Sequence, residues 1–334
     1  MPALEAFLLA DFLGTATWLW LVFIAIVFSL LIFDLGVLHR DNHEIGVRES
    51  LLLSAGYITA GLLFGVWVYF QKGGDASMDY LTGFLIEKSL SMDNVFIMAM
   101  IFSFLAIPRR YQHKVLFWGI MGVLVLRALM IGLGAALIHQ FSWIMYVFGI
   151  FLAVTGLKML FSSTDEQPDL ERNLLVKFLR RRLRVTDQLH GQRFFVRQPG
   201  PSGEPVLWVT PLFLALILIE CADLLFAVDS VPAIFAITQD PYLVYTSNIF
   251  AILGLRALYF ALAALIHRFA YLKYALALVL VFIGGKIFLV GIIGKIPSVI
   301  SLGVTFGLLA GGVLFSLYKT RGEAQPDGSQ TPMP

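Results

Sequence analysis

The chain has 334 residues, 59% of them hydrophobic and only 14% charged, with a formal net charge of +2 and a mean hydropathy of +0.84. That balance points to an integral membrane protein and away from a soluble domain. Its one cysteine, Cys221, excludes an intrachain disulfide framework and a cysteine-based metal cage.

The predicted fold is all-α and polytopic, with about nine transmembrane helices that include two inverted three-helix repeats. Residues 1–79 form an N-terminal two-helix unit, with spans near 17–37 and 49–70. Glu5 and Asp11 stand where a signal peptide would carry basic residues, so no cleavable leader is expected. Asp34 ends the first span, as a helix-end cap or as an acid on an ion path. The first repeat, 80–161, holds spans near 80–106, 115–138 and 142–161, and a basic loop follows at 162–206. An apolar-striped stretch at 170–190 predicts a surface helix in that loop. Phe194 to Val209, around a Pro- and Gly-rich centre, suggests a short hairpin. The second repeat, 207–293, holds spans near 207–237, 243–266 and 273–293. A last helix lies at 298–318 within segment 294–321, and a disordered tail is expected at 322–334.

Orientation follows from the excess of Lys and Arg on cytoplasmic loops. Placing 162–206 inside puts Arg40, Arg48, Arg109, Arg110, Lys114, Arg268, Lys273, Lys319 and Arg321 inside too, and only Lys72 and Lys295 outside. The expected arrangement is therefore a multi-pass protein of the cell's inner membrane, N-terminus out and C-terminus cytoplasmic.

Two acidic clusters interrupt the apolar spans. One contains Glu87, Lys88, Ser91, Asp93 and Asn94; the other contains Glu220, Asp223, Asp229 and Ser230, followed by Pro232. A carboxylate at the centre of a spanning helix costs roughly 2.5–3.5 kcal/mol even on the lenient scale, so two matched clusters need a reason. The self-similarity continues through Arg127 and Arg256, His139 and His267, and Gly156-Leu-Lys158 and Gly284-Gly-Lys286. Each copy holds three spans, an odd number, so the copies are expected to be inverted, as in many secondary transporters.

On a straight helix Glu87, Ser91 and Asn94 share one face, as do Glu220, Asp223 and Ser230, while Asp93 and Asp229 lie about 100° away. Pro232 is expected to kink or open its helix around 228–232 and free the Val228 carbonyl beside Asp229. Carboxylates, an amide, hydroxyls and carbonyls are hard donors that suit Mn²⁺, Mg²⁺ or Ca²⁺. Met92 and Cys221 read as packing residues, and His139 and His267 as interfacial ones. The alternative is that the acids only pair with Lys88, Arg127, Lys158, Arg256 and Lys286. Lys158, near a membrane end, is also placed to snorkel. No P-loop, dinucleotide fingerprint, Ser-His-Asp arrangement or zinc spacing is present.

Glu87-Lys-Ser-Leu-Ser-Met-Asp-Asn-Val-Phe96 and the stretch from Ile219 to Thr238 resemble signatures of the TerC family, which includes the Alx proteins of bacteria. Further matches are Tyr245–Tyr259 and Phe33-Asp-Leu-Gly36, and the resemblance covers roughly 18–318. The family is similar to the LysE-type exporters in its inverted three-helix repeats. It is associated with manganese efflux, the alkaline-pH response and tellurite resistance. The resemblance implies an inner-membrane exporter that lowers cytosolic Mn²⁺; the leading expectation is export in exchange for protons, with no permanent cofactor and no nucleic-acid partner. Carried over by position, the metal-site residues are Glu87, Asp93, Asp223 and Asp229, with Asn94 and Ser230 beside them. The residues themselves add Glu220 as a ligand, Arg127, Arg256 and Lys88 as charge-balancing groups, and Asp34 on the ion path. The rival reading is a membrane scaffold or insertion factor working through 162–206. A Ca²⁺/H⁺ exchanger on the same fold is a third.

Overall fold

The computed structural model describes residues 2–36, 47–141, 143–161, 174–186, 188–199, 204–262, 271–294 and 296–320. In chain order these form α1 (Pro2–Leu9), the short pair β1 (Asp11–Phe12) and β2 (Thr15–Ala16), α2 (Thr17–Gly36) and α3 (Val47–Lys72). The first repeat follows as α4 (Gly74–Phe104), α5 (Arg109–Gln140) and α6 (Ile144–Phe161). Then come α7 (Leu174–Arg182) and the strands β3 (Phe195–Pro199) and β4 (Pro205–Val209). The second repeat is α8 (Pro211–Phe235), α9 (Pro241–Leu253) with α10 (Leu255–Leu262), and α11 (Leu272–Ile293); α12 (Ser298–Lys319) closes the bundle.

Among the described residues seven helices are long and apolar enough to cross a membrane, counting α9 and α10 together: α3, α5, α6, α8, α9–α10, α11 and α12. The two other expected spans fall outside that group for different reasons. The apolar described part of α2, Thr17–Phe33, is short. Helix α4 is long, but carries Asp75, Asp79, Glu87, Lys88 and Asp93. Its charges mark it as the helix that lines the site.

The packing is symmetric under exchange of the repeats. Helix α4 packs on α9 as α8 packs on α5, α4 packs on α8, and α6 packs on α11. At atomic level, a Cβ on Gly284 would stand 2.6 Å from the Gly149 carbonyl oxygen, and one on Gly156 would stand 2.6 Å from the Ala277 carbonyl oxygen. Gly156 and Gly284 hold equivalent places in the repeats, as do Gly149 and Ala277, so each contact maps onto the other. These small residues let the α6 and α11 backbones touch, the closest helix approach that packing allows.

Helices α2 and α3 cover α9, where Trp20, Phe23, Phe64, Tyr242 and Phe250 form one aromatic cluster. Gly73, at φ 92, makes the left-handed turn that joins α3 to α4 with almost no linker. Beside it Lys72 donates to Asp240 at 2.5 Å and to Thr15 Oγ1 at 2.7 Å, so one of the two lysines expected outside is paired with an acid. Asp240 also caps α9, accepting from the Tyr242 amide at 2.9 Å.

The expected surface helix and hairpin in the basic loop are both present. Helix α7 buries Val176 against the ends of α4, α5 and α8, and β3 pairs antiparallel with β4 from Phe195–Val209 to Pro199–Pro205. The span near 243–266 is present, with one interruption at Gly254 between α9 and α10, where a built Cβ would stand 2.9 Å from both Lys88 Nζ and Tyr57 Cβ. Helix α8, conversely, runs unbroken through Pro232. Pro232 sits in the last turn, where it forfeits only the one bond to Val228 while its own carbonyl accepts from the Ala236 amide at 3.0 Å.

Candidate functional site

Arg127, projecting from α5 and 1% exposed, is the centre of the site. Its Nε donates to Asp223 Oδ2 at 3.0 Å and its Nη2 to Asp223 Oδ1 at 2.9 Å. Its Nη1 donates to Glu87 Oε1 and to Ser230 Oγ, both at 2.7 Å. Asn94 Nδ2 adds a bond to Asp223 Oδ1 at 3.0 Å. One planar guanidinium thus ties the first helix of one repeat to the first helix of the other, using the fork geometry that a lysine lacks.

The seven-residue spacing explains the convergence. Glu87 and Asn94 stack on one face of α4, Asp223 and Ser230 on one face of α8, and all four are at most 4% exposed. Ser91 Oγ, on the same α4 face, donates to the Glu87 carbonyl at 2.7 Å. Among the described residues two oxygens of the cluster find no hydrogen-bond partner: Glu87 Oε2 and Asn94 Oδ1, both fully buried. Such groups are costly unless something unseen by the chain itself satisfies them.

Beside them lies a cavity of about 320 Å³. Glu87, Asn94, Arg127 and Ser230 form one wall; Asp229, half-buried, and Lys158 and Thr155 of α6 contribute to the rest. Among the described residues, with all groups ionised, Glu87, Asp223 and Asp229 outnumber Arg127 and Lys158 by one charge. These described groups join an excess of negative charge to hard oxygen donors, which is chemistry suited to a cation.

The expected site residues distribute as follows. Glu87 and Asp223 do not face each other around a shared centre; both are drawn onto Arg127. Asp229 lies on a different face of α8 from Asp223, as the helical angle dictated, and lines the cavity together with Glu87. Among the described residues no three acid, Cys or His side chains form a group able to hold a metal by themselves. The side chains of Asp34, Asp93 and Arg256 lie outside the described residues, as does all of His267. Lys88 turns away from the acids: its Nζ donates to the Ala251 carbonyl at 3.0 Å, beside Gly254, and so satisfies the frayed end of α9. Glu220 also leaves the cluster, its carboxylate seated against Gly119 and Gly122 of α5, with neither oxygen partnered. A side chain at Gly122 would collide with it.

Thr155 carries no signal in the sequence, and Lys158, read there as an ion-pair partner or a snorkelling residue, is placed at the cavity only by the packing of α6. Away from the cavity's lining, Asn248 of α9 is 0% exposed, and among the described residues neither of its amide atoms has a partner. Its signal was visible as Thr246, Ser247 and Asn248, three successive polar residues inside an apolar span.

Comparison with known proteins agrees with this architecture. The family model for the integral membrane protein TerC family matches residues 72–324. An uncharacterized membrane protein of Rickettsia bellii is 49% identical over 300 residues, covering 90% of this chain and 97% of its own. The Myxococcus xanthus membrane protein STKORF319 is 46% identical over 303 residues, covering 91% and 93%. Alx of Escherichia coli, whose name gives it a proposed role as a membrane-bound redox modulator, is 46% identical over 300 residues, covering 87% and 91%. No solved structure matches. With a match across both repeats and the helices that carry the Arg127 cluster, the chain belongs to the TerC family of integral membrane proteins.

Proposed function

We propose that this protein moves a divalent cation across the membrane, with Mn²⁺ the favoured substrate, and that it exports the ion from the cytoplasm in exchange for protons. The observation that carries this reading is the pair of buried, unpartnered oxygens, Glu87 Oε2 and Asn94 Oδ1, at a cavity shared with Asp229. A dehydrated cation entering the cavity supplies what those oxygens lack. Arg127 is then the counter-ion of the empty site, holding Glu87 and Asp223 until a cation or protons take over their charge. Oxygen ligands with no histidine favour Mn²⁺, Mg²⁺ or Ca²⁺ over Cu(I) and structural Zn²⁺. The basic α7–hairpin unit sets the cytoplasmic side, which puts the N-terminus outside and the C-terminus inside a plasma (inner) membrane.

The redox role in the name of Alx finds less support in this chain. Its single Cys221 cannot form an intrachain disulfide couple. The test is Mn²⁺ flux into proteoliposomes under an imposed pH gradient, with Ca²⁺ and Mg²⁺ as competitors. Flux should fall at least about tenfold in Asp229→Asn and in Glu87→Gln, since each removes an anionic donor and costs upwards of about 1.4 kcal/mol of cation binding. Absence of flux from the parent protein, or flux indifferent to both substitutions, overturns the proposal. Loss of cellular function on deleting the α7–hairpin unit, with metal binding intact, would favour a scaffold instead.

A further inference from the structure

A second cavity, of about 530 Å³, lies between the same four helices, α4, α6, α8 and α11. Its walls include Asp79, Tyr146, Thr238, Gln239 and Lys286. On every one of the four helices its residues are displaced in the same spatial direction from those of the first cavity. Asp79 precedes Glu87 on α4, Tyr146 precedes Thr155 on α6, Phe235 follows Ser230 on α8, and Lys286 follows Leu280 on α11. Because α4 and α6 run opposite to α8 and α11, these offsets agree, and the cavities are stacked along one axis. The step from Tyr146 to Thr155 is about 14 Å of helix at 1.5 Å per residue.

The two cavities are also related by the repeats. Lys158 lines the first and Lys286 the second, and these lysines occupy equivalent positions. Between the cavities lies an apolar band with one residue from each helix: Ile86, Leu152, Ala233 and Ile283, none more than 2% exposed. It offers no oxygen to an ion, so a hydrated cation cannot pass it. The band closes where α6 and α11 meet through Gly149, Gly156, Ala277 and Gly284. There backbone lies against backbone, with Val281 Cγ2 and Phe288 Cε2 also close to the glycines, and small-residue contacts of this kind are ones along which a rigid-body shift can move two helices.

We infer that the second cavity is the opposite vestibule of the same ion path, and that the Ile86–Leu152–Ala233–Ile283 band is its gate. This rests on the transport reading above for the identity of the ion, but the path itself does not. The structure holds the gate shut, with the acid-lined cavity on the side of α7. Exchange of the repeats' positions would close that side and expose the acids to the Lys286 side. Asp79 and Lys286 are then the charged residues that line the exit.

The experiment uses the full chain in proteoliposomes with Cys221→Ala, so that each introduced thiol is alone. Val290→Cys reports the second cavity, Ala233→Cys the band and Thr155→Cys the first cavity. A membrane-impermeant maleimide is added from the side of the second cavity, with and without a Mn²⁺ gradient. Val290→Cys should react under both conditions and Thr155→Cys be protected without the gradient. Ala233→Cys should react about tenfold faster once the gradient populates the other state. Ile283→Cys repeats the gate measurement from another helix should Ala233→Cys fold poorly. Mn²⁺ flux with both gate thiols unreactive overturns the path and leaves the transport reading standing. Gate thiols that react under turnover conditions without Mn²⁺ flux support the path and remove Mn²⁺ as its cargo. Neither flux nor reactivity overturns both.

Discussion

Replacing Arg127 with Met tests whether one cation holds the two repeats together. The change keeps most of the side-chain volume and removes four hydrogen bonds: two to Asp223, one to Glu87 and one to Ser230. Glu87 and Asp223 side chains are each 1% exposed, so neither carboxylate is well solvated once the guanidinium is gone. Removing one partner of a buried ion pair costs about 3–5 kcal/mol, because the remaining charge is left uncompensated. Two carboxylates share this arginine, yet the loss should stay in that range, since protonating either one relieves the repulsion. The expected result is a destabilisation of about 3–5 kcal/mol, followed by thermal unfolding of detergent-solubilised protein. Adding Glu87→Gln and Asp223→Asn to Arg127→Met should recover much of it, because neutral amides carry no charge to compensate. Saturating Mn²⁺ should stabilise Arg127→Met more than the parent, since the ion then replaces the missing cation. An Arg127→Met protein within about 1 kcal/mol of the parent, with no gain from the added amides, would refute the counter-ion argument.

Two further substitutions probe the frame around the site. Gly284→Ala places a Cβ 2.6 Å from the Gly149 carbonyl oxygen and 2.9 Å from the Ala153 nitrogen. Backbone cannot yield cheaply, so thermal unfolding should report a loss of about 1–3 kcal/mol, whereas Gly285→Ala, with open space around it, should be nearly neutral. Asp240→Ala removes both the α9 cap and the Lys72 partner and should cost about 1–2 kcal/mol. Asp240→Asn keeps the cap and should cost under about 1 kcal/mol, because the ion pair is partly exposed. Equal losses for Ala and Asn would show that the ion pair, not the cap, dominates.

The sequence by itself determined the solvent and the period. Its hydropathy placed the chain in a bilayer and located helix ends within a few residues, because a helix must run long and apolar to cross hydrocarbon. The seven-residue spacing of Glu87 and Asn94, and of Asp223 and Ser230, showed which side chains share a face, because that spacing returns close to the same angle. Matched motifs around Arg127 and Arg256 revealed the repeat. What a helical period cannot encode is the element opposite a given face. Only the tertiary structure decided that Arg127 takes both Glu87 and Asp223, that Lys88 serves the broken end of α9, and that Lys158 enters the cavity. The continuity of α8 through Pro232 and the interruption at Gly254 were settled the same way. Proline's effect depends on how many turns follow it, and the glycine is required by the close approach of Tyr57 and Lys88, neighbours from other helices.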